Sequence, residues 1–152
     1  MDFTKIKLSK NRIHLEYLIR KDNDHTDFTF DHPDDSLLSF SQSLKALRQD
    51  FLKVLELPQD APTVERVTLH TISISYKGED YNRSVIISGN IATSNGSFNV
   101  NSPLQRMDCL EGEGLTVDTF TKIEKVIQEA TKYVNGERQQ TEMFEKEEEA
   151  IV

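Results

Sequence analysis

The feature that most constrains this chain is the way its apolar residues change period. In the first quarter Ile13, Leu15, Tyr17 and Ile19 alternate with His14, Glu16 and Leu18, the period-two pattern of a half-buried strand. Between residues 37 and 55 the spacing becomes three and four: Leu37, Phe40, Leu44, Leu47, Phe51 and Leu55 fall on one helical stripe. From Val67 the period is two again, through Leu69, Ile72, Ile74 and Tyr76 and back through Tyr81, Arg83, Val85, Ile87 and Ile91. It turns helical once more at Phe120, Ile123, Ile127, Ala130 and Val134. A chain that switches this way must bury strands and helices in one core.

Local signals punctuate these runs. Two shorter strands are expected at residues 3–9 and 28–30, making a meander with the run at 13–19. Pro33, Asp34, Asp35 and Ser36 suit the start of the first helix, and Pro58 its end, with a linker at 58–62. The apolar phase slips between Leu69 and Ile72, which predicts a bulge near His70-Thr71. Asn95-Gly96 suits a tight hairpin before a last strand at 98–101. Thr116 or Thr119 can cap the second helix, and Gly136 suits the left-handed position that closes it. The expected fold is therefore α+β: antiparallel strands and two amphipathic helices in two layers, ordered β-β-β-α-β-β-β-α. A single domain is expected over residues 1–136, and a mobile acidic tail over 137–152.

At 152 residues, with 36% hydrophobic and 29% charged side chains, the chain suits one domain with polar loops. Its formal net charge of -8 opposes broad contact with a phosphate backbone and suits a protein partner with a basic face. The single cysteine, Cys109, can form no internal disulfide, and the first residues hold no apolar signal core. Both points suggest the cytoplasm.

The reactive residue types form no recognisable constellation. His25 and His32 lie in an acidic stretch, "DNDHTDFTFDHPDD", read as a loop whose spacing fits no zinc or calcium pattern. Cys109 has no base placed beside it by the sequence, and "GEGLT" lacks the spacing and lysine of a phosphate loop. A protein that is not an enzyme, with no metal and no cofactor, is expected. A basic track of Lys5, Lys7, Lys10 and Arg12 is the candidate nucleic-acid-facing group. Lys5 and Lys7 share one strand face, with Phe3, Tyr17 and Tyr76 or Tyr81 as stacking partners for a single strand. The same lysines also suit the solvent side of an edge hairpin.

The tail holds the sharpest motif. "QTEMF", Gln140 to Phe144, resembles the short peptide by which bacterial and phage proteins hold the DNA polymerase sliding clamp. That resemblance implies partner-binding roles for Gln140, Met143 and Phe144: an oriented amide in a small pocket and two apolar side chains in a groove. More widely, "VTLHTISISYKGE" (67–79), "FNVNSPLQ" (98–105) and "YVNGERQQTEMF" (133–144) resemble small phage and prophage proteins encoded near replication and recombination genes. In those proteins the chain ends near the Phe, whereas here "EKEEEAIV" follows. The resemblance implies an accessory of phage DNA replication or recombination, tethered through its tail. The alternative is an acidic inhibitor of a host defence or nuclease protein, acting as a DNA mimic or by sequestering a ligand.

Overall fold

The computed structural model describes residues 1–9, 12–21, 24–32, 38–77, 82–107 and 116–136. The fold is mixed α/β, built on one antiparallel sheet. Its strands are β1 (Asp2–Ser9), β2 (Arg12–Lys21), β3 (Asp24–His32), β4 (Val67–Lys77), β5 (Asn82–Thr93), β6 (Gly96–Asn101) and the short β7 (Gln105–Arg106). Its helices are α1 (Leu38–Lys45), α2 (Arg48–Val54), α3 (Ala61–Glu65) and α4 (Val117–Val134). The sheet order is β3-β2-β1-β4-β5-β6, with β7 also on β5. Two meanders thus lie side by side and join where β1 pairs with β4.

Register explains why these runs became a sheet. Phe30, Leu15, Ile6, Ile72 and Ile87 form one transverse row across β3, β2, β1, β4 and β5. All but Phe30 are buried, and Phe30 packs on the same core. Because successive strand residues point to opposite faces, a slip of one residue anywhere would turn an apolar side chain to the other side. Phe40, Leu44, Leu47, Phe51 and Leu52 from the first helices, and Ile123, Val126, Ala130 and Tyr133 from α4, complete the core. The Phe40 and Tyr133 rings meet edge to face at 5.5 Å.

The observed element order departs from the expected one. The described part of the expected first helix is two helices, α1 and α2, because the Leu47 N–H bonds Leu44 O, a tightened turn, before α2 begins. Part of the expected linker is α3, capped by Asp60, whose carboxylate accepts from the Thr63 N–H and hydroxyl. Within the acidic stretch with His25, residues 24–32 are not a loop: they form β3, a far longer strand than residues 28–30. α2 closes in a Schellman turn: the Leu57 N–H reaches Leu52 O and the Glu56 N–H reaches Lys53 O. Glu56 therefore sits at φ 58, a place that favours glycine.

The phase slip near His70 is a real bulge, with a register shift between Leu69 and Thr71. Gly89 lies opposite Leu69, and a Cβ there would stand 2.8 Å from Thr68 O. At the far end Thr116 caps α4 by accepting from the Thr119 N–H. α4 ends at Asn135, whose N–H bonds Thr131 O, and Gly136 follows at φ 90. Glu129 joins α4 to α1. Its buried carboxylate accepts from the Ser39 hydroxyl at 2.7 Å and from the ammonium groups of Lys125 and Lys132 at 3.1 Å each. Burial pushes this carboxyl up, but the Ser39 and lysine bonds outweigh it and hold it below the usual range.

Candidate functional site

One residue along from the apolar row runs a polar one. Asp31, His14, Lys7, Thr71, Ser88 and Asn101 stand in register, one from each of β3, β2, β1, β4, β5 and β6. A parallel row holds Thr29, Glu16, Lys5, Ser73 and Ile86. These rows point away from the core, by the alternation that sends Ile6 and Ile72 into it. The face is graded. On β1 to β3 it carries charge, and on β4 to β6 it carries hydroxyls and amides with the half-buried Ile86 among them.

The charged half is internally compensated. Arg12 bonds Asp31 at 2.6 Å. His14 lies between Glu16 at 3.3 Å and Asp31 at 3.6 Å. Lys5 stands opposite Glu16 across the β1–β2 ladder. Asp31 and Glu16 thus each stand beside basic side chains, and the carboxylates form no unbroken stripe among these residues.

The neutral half centres on the bulge. His70 Nδ1 lies 2.7 Å from Thr71 Oγ1, and the Asn99 side chain bonds the same ring. Partial burial lowers the His70 pKa; the Asn99 bond raises it, and the Lys7 charge lowers it again. The ring therefore favours the neutral state, held between a hydroxyl and an amide. That arrangement fixes the half-buried ring on the polar face beside the exposed Asn99. It also places an imidazole next to a hydroxyl, but Thr71 is only 7% exposed, which suits a structural bond better than attack on a substrate.

The sequence-expected site residues are separated by this geometry. Lys5, Lys7 and Arg12 do share the polar side of the sheet. Lys10 lies outside the described residues. The aromatic partners lie on the other side. Phe3 is buried, and Tyr17 and Tyr76 pack on the core with it. For Phe3 the cause is a second bulge, between Phe3 and Lys5, which sets the two on opposite faces; Tyr17 and Tyr76 face the core by plain alternation with the buried Leu15 and Ile74. Tyr76 donates to Phe3 O at 2.8 Å, and burial pushes its phenol up to about 12. Tyr81, Cys109 and the tail residues Gln140, Met143 and Phe144 lie outside the described residues. His25 is an exposed strand residue 3.8 Å from Asp27. Among the described residues no three His, Cys, Asp or Glu side chains gather to hold a metal, and no helix is long and apolar enough to cross a membrane.

Sequence reasoning missed the role of Asn99 and the polar row. A signal existed in the alternation of Ser, Thr and Asn through β4, β5 and β6, which only the register aligns. Comparison with known proteins adds no relative: no family model, no curated protein and no solved structure matches the chain.

Proposed function

We propose that this chain is a non-enzymatic adaptor of phage DNA replication or recombination. Its C-terminal peptide holds a sliding clamp, and its domain holds a second macromolecule. In this reading the helices form one layer behind the sheet, and the opposite polar face is the docking face. The observation that carries the proposal is the closure of α4. The helix is capped at Asn135, with Gly136 next at φ 90, and four residues separate that cap from Gln140. A clamp peptide must be extended to lay its apolar anchors in a groove, which a continuing helix would forbid. The charge of the tail fits a tether: six glutamates (137, 142, 145, 147, 148 and 149) stand against Arg138 and Lys146.

The roles follow from side-chain chemistry. Gln140 supplies an oriented donor and acceptor, and Met143 and Phe144 supply the apolar area that drives association. The test is a titration of a labelled peptide covering residues 133–152 against purified bacterial sliding clamp, beside a Phe144→Ala peptide. Saturable binding that is lost in the control is the expected result. Equal behaviour of the two peptides removes the clamp from the proposal.

A further inference from the structure

The two edges of the sheet are unlike. β3 exposes Asp24, Asp27 and Asp31, charges that discourage another strand from pairing there. β6 has no such guard. From Ser94 to Gln105 the chain carries no charged side chain at all, in a protein of net charge -8. No described strand pairs with the outer side of β6.

The backbone of β6 can be assigned group by group. Thr93 and Gly96 close a two-residue hairpin, so they form a hydrogen-bonded pair with β5. Pairs of that kind recur at every second residue, so Phe98 and Val100 also bond inward. The Ser102 N–H, bonded to Ile87 O at 2.8 Å, keeps the same parity. The N–H and C=O groups of Ser97, Asn99 and Asn101 therefore face outward. Phe98, on the core side of this edge, is 50% exposed, and Leu104 just beyond is 49% exposed.

We infer that the β6 edge is a homodimer interface, in which two copies pair antiparallel about a two-fold axis through Asn99. Charge selects the occupant. Two acidic chains meet without like-charge contact only along an uncharged edge, and β6 is the uncharged one. Self-complementarity fixes the register. With Asn99 opposite its own copy, Ser97 faces Asn101 of the second chain, and each of these pairs exchanges two backbone hydrogen bonds. The same register sets Phe98 across from Val100, an aromatic and β-branched pair that covers the exposed ring. Pro103, which has no N–H, bounds the pairing at its far end. The result is one sheet continuous through both copies, with the polar rows extended and two tails on one particle.

The test uses the full chain in sedimentation equilibrium over a wide concentration range. The wild type is expected to reach about 35 kDa, twice the 17.5 kDa chain. Its self-association should tighten with added salt, because the remaining repulsion between the copies is screened. Asn99→Pro removes an outward N–H and leaves the β5–β6 ladder whole. It is expected to weaken the dimer by about tenfold or more, equivalent to losing roughly 1.4 kcal/mol, with the far-UV circular dichroism unchanged. Ser97→Lys combined with Asn101→Lys tests the edge without proline and should give monomer. A wild type that stays at 17.5 kDa throughout overturns the inference. So does a dimer that survives in both variants.

Discussion

Replacing Glu129 by alanine tests the reading that one buried carboxylate ties α4 to α1. Glu129 has no exposed side-chain surface, whereas Lys125 and Lys132 are 56% and 37% exposed. When the carboxylate is removed, both lysines can return to water, so no charge is left stranded. The penalty usual for breaking a fully buried pair, about 3–5 kcal/mol, is therefore too large here. What is lost is the charge-assisted bond from Ser39, about 1.5–3 kcal/mol. The two partly exposed ion pairs add about 0.3–0.5 kcal/mol each. The higher helix propensity of alanine returns a few tenths of a kcal/mol, roughly. The expected loss is about 3 kcal/mol, or roughly 6–12 °C in Tm for a chain of this size. Glu129→Gln keeps a partner for Ser39 and should lose about half as much.

The pH dependence has a definite sign. The Glu129 pKa lies below 4.5 in the folded state. Its contribution is complete above the unfolded value and is lost as pH falls through the folded one. Urea denaturation at pH 7 and at steps down to pH 3 should show wild type and Glu129→Ala converging in acid. A loss under about 0.5 kcal/mol at pH 7, or a gap that stays constant into acid, refutes the reasoning.

Glu56→Gly should stabilise the protein by about 1 kcal/mol, since a non-glycine residue at φ 58 is strained; a lower urea midpoint would contradict this. Gly89→Ala should cost about 1–3 kcal/mol, because its methyl would press on the backbone of Thr68. A neutral result in thermal melts would mean that β4 and β5 separate more easily at the bulge than their register implies.

Much of the local structure was legible because each signal is a short-range physical conflict. The β4 bulge was readable from the broken phase between Leu69 and Ile72. The caps at Thr116 and Gly136 were readable from residue chemistry. The hairpin was placed correctly, although Ser94-Asn95 form its loop and only Gly96 takes positive φ. The break at Leu47 was not legible, since the apolar spacing runs on through a turn that one backbone bond tightens. β3 was hidden because an exposed edge strand alternates Asp and Thr with Phe in place of a clear apolar set. The basic track was half legible. Lys5 and Lys7 do share a face, but the bulge after Phe3 turns that ring to the core, where plain alternation already places Tyr17 and Tyr76. The polar row needed six strands in register, which no single segment encodes.

The central claim is that the chain tethers a clamp through its tail while the domain stays free to bind elsewhere. Isothermal titration of the full-length protein into purified sliding clamp tests it most directly, with Met143→Ala combined with Phe144→Ala as the paired variant. Saturable binding by the wild type and none by the folded variant is the predicted result. Heat from neither protein, or the same affinity from both, would contradict the claim.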